Sequence, residues 1–276
     1  MALFQYGFMR TAFITGLLLA IITPCIGLVV VLRRQSMIGD ALSHVSLAGV
    51  AIGLIAGINP LIGALGACVL ASFGIDWIRR KFPLHGDLAI AVIFSAGVGL
   101  AGVLSGFVPG AANFNSFLFG SIVAISAFEF GLVAVISALV LIAFIVLYRE
   151  LFLCSLDERT ARLSGVPVRL VDGAFSLLTA VTVAIASRTV GVLIVSSLLI
   201  LPVATAMQLA KSYRQTVILS VLFGVLDTIA GLLISFYADF RPGSTIILVG
   251  VAVLLLTILV LHVQRAARTR RRKKTA

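Results

Sequence analysis

The sequence has 276 residues, of which 61% are hydrophobic and only 11% are charged. A water-soluble globular domain carries charge on about a quarter of its residues, so this composition excludes that class and predicts an all-α integral membrane protein. The net charge of +11 comes from Lys and Arg residues that lie between apolar runs and in the C-terminal tail. That placement is typical of membrane orientation, not of nucleic-acid binding.

About nine apolar runs approach the roughly 20 residues that a membrane-spanning helix needs. A further apolar segment, 114–126, contains Gly and Asn residues that favour a re-entrant or surface loop, so the prediction is eight to nine transmembrane helices. The runs extend over Thr11–Leu32, Asp40–Ile58, Leu61–Ile78, Leu88–Val108, Phe130–Leu147, Val168–Ile185, Val190–Leu209, Thr216–Tyr237 and Thr245–Leu261.

Lys and Arg residues are distributed unequally between the two sides of nine such spans. Of the 21, only Arg10, Arg188 and Arg241 fall on one side. Because cytoplasmic loops carry the excess of basic residues, the N-terminus is predicted outside and the C-terminus inside the cell. Residues 1–264 then form the transmembrane domain, and 265–276 form a basic cytoplasmic tail suited to anionic lipid.

Two metal-capable side chains lie one helical turn apart in the second apolar run. Residues four apart share one helix face, so Asp40 and His44 can approach one cation together. Ser43 and Ser46 lie beside them and can supply hydrogen bonds to the ligands. Two residues are fewer than a divalent metal normally takes, and a homodimer would provide two Asp and two His, a set that suits Zn or Mn. The alternatives are that Asp40 only caps the helix and that His44 is satisfied by a neighbouring helix.

A row of small residues follows in the same run. Gly49 lies nine residues beyond Asp40, which at 100° per residue places Gly49, Gly53 and Gly57 opposite the polar face. Small residues at this spacing let helices approach closely, so this row is predicted to pack against another span.

The longest cytoplasmic connection is predicted to contain a short amphipathic helix, at about 156–165. Ser155 and Glu158 have the spacing of a capping box, and Gly165 with Pro167 stops the helix. This helix either links two spans or docks a cytoplasmic partner.

Other chemistry is sparse in the sequence. Asp227 is the deepest of the remaining acids, but it has no His or acid one turn away, so the sequence does not favour it as a metal ligand. No GxxxxGK[ST] segment predicts ATP binding, and no HExxH segment predicts a metalloprotease.

Several motifs together resemble the membrane permeases of ABC-type zinc and manganese importers, over about Gly7 to Leu261. They are Gly39-Asp40-Ala41-Leu42-Ser43-His44, Ser46 to Ala51, Gly86 to Ile90, Phe117 to Ile122, Leu201 to Ala206, Pro242 to Ile246, and Asp157-Glu158 with Ala161 and Gly165. The resemblance implies a homodimer in a bacterial cytoplasmic (inner) membrane, a cytoplasmic ABC ATPase dimer that binds ATP, and an extracytoplasmic metal-binding protein. It also implies that Asp157, Glu158, Ala161 and Gly165 form the coupling helix and that Asp40 and His44 lie on the metal path.

The sequence therefore predicts a non-enzymatic permease subunit that moves Zn or Mn into the cytoplasm, with no permanently bound cofactor. Two alternatives remain at this stage. One is a stand-alone cation transporter that uses Asp40 and His44 as a proton relay. The other is an ABC permease for metal chelates, which would need a wider pathway.

Overall fold

The structure is a computed structural model that describes residues 7–82, 86–108, 117–118, 120 and 126–275, with side chains described between residues 10 and 264. Within these ranges the fold is entirely helical, which confirms the predicted all-α class. The helices are α1 (Gly7–Leu32), α2 (Ile38–Ile55), α3 (Pro60–Lys81), α4 (Gly86–Ser105), α5 (Ala127–Val146), α6 (Tyr148–Leu156), α7 (Glu158–Leu163), α8 (Val168–Val190), α9 (Val195–Leu209), α10 (Tyr213–Ala238) and α11 (Pro242–Thr275).

Eight of the described helices are long and apolar enough to cross a membrane, which is the lower value of the predicted range. The predicted span Val190–Leu209 is where the structure differs. Only Val195–Leu209 is helical there, because α8 continues to Val190 and Gly191 adopts φ +112°, a conformation that breaks the helix. The turn that follows is held by backbone hydrogen bonds from Val192 and Leu193 to the carbonyls of Phe117 and Leu118.

Burial separates core helices from peripheral ones. Most of α1, α2 and α8 is buried, whereas α4 and α11 expose most of their surface. Exposed Leu and Val side chains on these outer helices suit a lipid environment, where an apolar surface needs no cover. Helix α2 lies between α3 and α4 and also contacts α8 and α9, so its polar turn is in the interior of the bundle.

Two glycines of the predicted row mediate close packing between α2 and α3. A Cβ atom at Gly49 would lie 2.4 Å from the carbonyl oxygen of Gly63, and one at Gly53 would lie 3.0 Å from Pro60. The prediction for Gly57 was wrong. Helix α2 ends at Ile55, Gly57 lies in the turn beyond it at φ +69°, and no atom lies within 4 Å of its would-be Cβ.

Charged side chains pair at two levels of the bundle. Near one end, Arg33 donates to Asp172 of α8 over 2.6 Å. Near the other end of α8, Arg188 donates two hydrogen bonds, of 2.9 and 3.2 Å, to Glu129, and both side chains are largely buried. Because an isolated buried charge is costly, these partners fix α1 and α5 against α8.

The short helices α6 and α7 lie at the same end as the Arg33 pair. A cavity of about 620 Å³ there is lined by basic residues from three separate segments, namely Arg33, Arg34, Arg79, Arg80 and Arg162. All five belong to the side of the membrane that is predicted to carry the excess of basic residues. The structure brings them to one surface.

The predicted capping box at the start of α7 was wrong. The Ser155 hydroxyl donates to the carbonyl of Leu151 in α6, and Asp157 caps α7 by accepting hydrogen bonds from the amides of Arg159 and Thr160. A hydrogen bond from the Thr160 hydroxyl and the amide of Arg159 lower the pKa of Asp157. Asp157 therefore stays charged at the positive end of the helix.

Two predictions fall wholly or partly outside the described residues. Whether segment 114–126 inserts into the membrane depends largely on residues that the structure does not describe. For the basic tail 265–276, the backbone continues α11 as far as Thr275, and the side chains are not described.

Candidate metal site

The first turn of α2 places Asp40 against α9. Helix α2 begins at Ile38, after Met37, so Asp40 lies within the helix and does not act as its side-chain cap. The hydroxyl of Ser196 donates a 2.5 Å hydrogen bond to one carboxylate oxygen of Asp40. A Cβ atom at Gly39 would lie 2.9 Å from that hydroxyl oxygen, so the glycine makes room for Ser196. The bond orients the Asp40 carboxylate.

His44 lies one turn further along α2 on the same face. Its ring meets that of Phe94 edge to face, with centroids 5.1 Å apart. Gly97 of α4 lets this contact form, because a Cβ atom there would lie 2.8 Å from Val45 and 3.2 Å from the carbonyl carbon of His44. Asp40 and His44 interact electrostatically. Both are partly exposed, so both are accessible to an ion.

The two predicted serines have different surroundings. The hydroxyls of Ser46 and Ser187 lie 2.5 Å apart, and since Ser187 donates to the carbonyl of Ala184, Ser46 is the donor between them. Ser43 is fully buried, and its hydroxyl makes no hydrogen bond within the described part of the chain. Ser46 therefore fixes α2 against α8, and Ser43 has a free donor and acceptor beside the site.

The contact between Ser46 and Ser187 also locates the site along the bundle. Ser187 lies 15 residues beyond Asp172, or about 22 Å along α8, whereas Asp40 lies six residues, or about 9 Å, before Ser46 on α2. Both helices begin at the same end of the bundle, since Arg33 just before α2 pairs with Asp172. Asp40 therefore lies about 13 Å beyond Asp172, beside the middle of α8 and away from the basic surface.

The site offers an oxygen and a nitrogen ligand and little else. No cluster of three or more His, Cys, Asp or Glu side chains that could hold a metal occurs in the described ranges. A divalent transition metal takes four or more ligands, so one chain supplies an incomplete coordination shell. Such a site can bind a metal weakly or share it with another molecule.

The residues that support this site lie far from it along the chain and were not predicted. Ser196, Ser187 and Phe94 come from α9, α8 and α4, 156, 141 and 50 positions away from the residues they contact. The only local signal was a pair of serines at the start of α9, and a serine in an apolar run is equally typical of helix packing.

The predicted coupling residues lie on the basic surface. Glu158 pairs with Arg162 within α7, Ala161 is fully buried against the bundle, and Gly165 ends the segment at φ +81° with open space around its Cα. Asp157 and Glu158 are exposed to solvent. The segment is thus anchored at Ala161 and presents charged side chains outward.

A bundle of long apolar helices around a half-buried carboxylate and imidazole defines a multi-pass membrane protein with a polar site inside the bundle. Comparison with known proteins identifies the class. The model of the ABC 3 transport family matches residues 5–261. The chain belongs to this family, the membrane permease subunits of ABC transporters.

Individual relatives agree over nearly the full length. A probable metal transport system membrane protein of Treponema pallidum is 38% identical over 264 residues, which cover 95% of this chain and 98% of that protein. The manganese transport system membrane protein MntC of Listeria innocua is 32% identical over 257 residues, covering 93% and 92%. The structure of PsaBC from Streptococcus pneumoniae in complex with a Fab matches with a TM-score of 0.83 and 29% identity, covering 93% of this chain and 92% of that one.

Proposed function

We propose that this permease moves a divalent transition metal, manganese or zinc, into the cytoplasm and that Asp40 and His44 bind the metal in transit. The observation that carries this proposal is the pairing of a carboxylate and an imidazole one turn apart in a core helix, with Ser196 orienting the carboxylate. Placing an ionisable side chain inside a membrane bundle costs free energy, so such a residue is a candidate for a functional role. The name of the Listeria relative supports manganese as the first cargo to test.

A second copy of the chain is proposed to complete the coordination shell. Two Asp40 and two His44 side chains around a two-fold axis provide four oxygen and nitrogen ligands, and two negative charges balance a divalent ion. Ser43, whose hydroxyl has no partner among the described residues, lies on the same turn and adds a polar group near these ligands. Ser46 supports them indirectly, because it holds α2 against α8. The cysteines are not part of the set, and the absence of thiolate favours release of the metal over tight retention.

Transport is proposed to be driven by a separate ATPase dimer on the basic surface. Helix α7, with Asp157, Glu158, Ala161 and Gly165, is the coupling element, because its buried Ala161 transmits movement to the bundle while its charged side chains face a partner. This surface is then cytoplasmic, which puts the N-terminus outside and the C-terminus inside the inner membrane. An extracytoplasmic binding protein delivers the metal to the opposite face.

The proposed orientation needs an odd number of membrane crossings, and a crossing by the short helix α9 provides the ninth. Its 15 residues extend about 22 Å, less than the roughly 30 Å of a bilayer core. The preceding turn 191–194 supplies the rest, and it is held by protein contacts with Phe117 and Leu118. Nine crossings therefore arise from eight long helices and one short one.

Reconstitution in liposomes tests this function. The permease is assembled with its ATPase, and uptake of manganese and zinc is measured with the binding protein, with and without ATP. ATP-dependent uptake of the free ion is the expected result. Uptake by the permease alone along a proton gradient would instead indicate a stand-alone transporter, and uptake only of a chelated metal would indicate a chelate permease.

A further inference from the structure

Asp227 is a buried acid that the proposed metal path does not use. It lies in the middle of α10, its residue is 3% exposed, and its Oδ1 atom has no hydrogen-bond partner among the described residues. Glu129, the other acid in the bundle with comparable burial, receives two hydrogen bonds from Arg188. Asp227 is therefore buried without the compensation that a buried carboxylate normally requires.

No cation of the described residues pairs with Asp227. The side chains that line its surroundings from α9 and α11 are apolar or hydroxyl-bearing, and α9 contains no ionisable residue. Helix α1, which also packs on α10, has none between Gly16 and Pro24, where it contacts Thr228 and Gly224. The nearest bases along the chain are Arg241, nine positions before Gly250, His262, 12 positions beyond it, and Arg214, 13 positions before Asp227, which are about 13, 18 and 20 Å away along the helices.

A small cavity lies between Asp227 and α9. Leu198, Pro202 and Asp227 line it, and its volume of about 10 Å³ is the size of a single water molecule. Its surface is apolar, so it offers the carboxyl group neither a hydrogen-bond donor nor solvent. A charge on Asp227 would therefore have no stabilising partner on this side.

We propose that Asp227 is a proton-binding site that is occupied at neutral pH, so that its side chain is the neutral carboxyl group. The proton removes a charge that has no partner among the described residues. A bound monovalent cation would also neutralise the carboxylate, but it needs several oxygen ligands, and the apolar cavity beside Asp227 does not supply them. The proton is the occupant that needs no further ligand.

The site has a structural connection to the candidate metal site. Helix α9 contacts Asp227 through Leu198 and Pro202, and it contacts Asp40 through Ser196. Loss of the proton would leave a bare charge in an apolar region, and water could reach it only if α9 moved away from α10. If the proposed function holds, the proton at Asp227 thereby keeps Ser196 in place against Asp40.

Infrared spectroscopy of the purified full-length permease in lipid tests the proton site without any transport assay. The neutral carboxyl group has a C=O stretch that is separate from the carboxylate bands and shifts in D₂O. The expected result at neutral pH is such a band in the wild type, its loss in Asp227→Asn, and its retention in Asp239→Asn. Asp239 is the matched control because it is an exposed acid at the end of the same helix.

Three outcomes would overturn the proposal. They are the absence of a protonated carboxyl band from the wild type, an unchanged band in Asp227→Asn, and loss of the band when sodium is added at constant pH, which would show a cation site. If Asp227→Asn does not fold, Asp227→Glu serves instead. It keeps the acid one methylene further out, so the band should shift in frequency, and an unshifted band would contradict the assignment.

Discussion

Asp40 and Asp227 lie on two sides of the short helix α9, and they differ in exposure and in hydrogen bonding. Asp40 is partly exposed, accepts a hydrogen bond from Ser196 and has an imidazole one turn away. Asp227 is 3% exposed, and its Oδ1 atom has no partner in the described structure. The difference shows that an acid in a membrane protein is a candidate for ion transit only where a neighbouring side chain orients its carboxylate and an ion can reach it.

The largest expected effect comes from removing the proposed metal ligands. Asp40→Ala or His44→Ala should reduce metal uptake to background, because loss of a ligand exceeds the 10- to 100-fold cost of losing an outer hydrogen-bond partner. Uptake is measured in the assembled complex, with membrane insertion checked by detergent extraction and gel filtration. The matched control is Asp239→Asn, an exposed acid. Wild-type uptake in both ligand variants would show that the metal takes another path.

A buried acid with a cationic partner provides a second test of the comparison. Glu129→Ala removes the carboxylate that binds Arg188 and leaves a largely buried guanidinium uncompensated. We expect a loss of stability of about 3 to 5 kcal/mol. Thermal unfolding in detergent measures it.

The control for that variant is Glu158→Ala, which breaks the exposed pair with Arg162 and should cost less than about 1 kcal/mol. Equal unfolding temperatures for the two variants would mean that burial does not determine how much each ion pair contributes to folding stability. Asp227 would then need no proton.

The hydrogen bond that distinguishes Asp40 from Asp227 can be removed directly. Ser196→Ala should lower uptake about tenfold, since the carboxylate loses the donor that orients it. Ser105→Ala is the control, because the Ser105 hydroxyl bonds only to the carbonyl of Gly102 in its own helix. Uptake rates over a range of metal concentrations measure the effect. Unchanged uptake rates in Ser196→Ala would show that the role of Asp40 in uptake does not depend on its hydrogen bond from α9.

The smallest expected effect concerns the cavity beside Asp227. A Cβ atom at Gly250 would lie 3.1 Å from Oδ2 of Asp227, so Gly250→Ala should shift the carboxyl band and change stability by no more than about 1 kcal/mol. Gly102→Ala is the control, since nothing lies within 4 Å of its would-be Cβ. An unshifted band in Gly250→Ala would mean that the protonated carboxyl group is elsewhere.

Much of the fold could be predicted because apolar run length is a direct requirement of the bilayer. The exceptions have local physical causes. The run Val190–Leu209 is continuous in hydropathy, yet Gly191 breaks it, and a single positive φ is not visible in an apolar count. Asp157 and not Ser155 caps α7, because α6 continues to Leu156 and the Ser155 hydroxyl donates within that helix.

Only the part of the candidate site that lies on a single helix, α2, could be predicted from the sequence. Asp40 and His44 share a face because four residues make about one turn, and that rule needs no tertiary structure. Ser196 and Phe94 come from distant helices, so their positions depend on packing through Gly39 and Gly97. The surroundings of Asp227 could not be predicted for the same reason, because the apolar side chains around it come from α9 and α11.

The most direct test of the proposed metal site is pulsed electron paramagnetic resonance on Mn²⁺ bound to the assembled complex. The chain has three histidines, and selective ¹⁵N labelling of histidine distinguishes their nitrogen coupling from that of other groups. We predict a histidine nitrogen coupling to Mn²⁺ in the wild type that disappears in His44→Gln and persists in His262→Gln. The same coupling in His44→Gln would contradict coordination of the metal by Asp40 and His44.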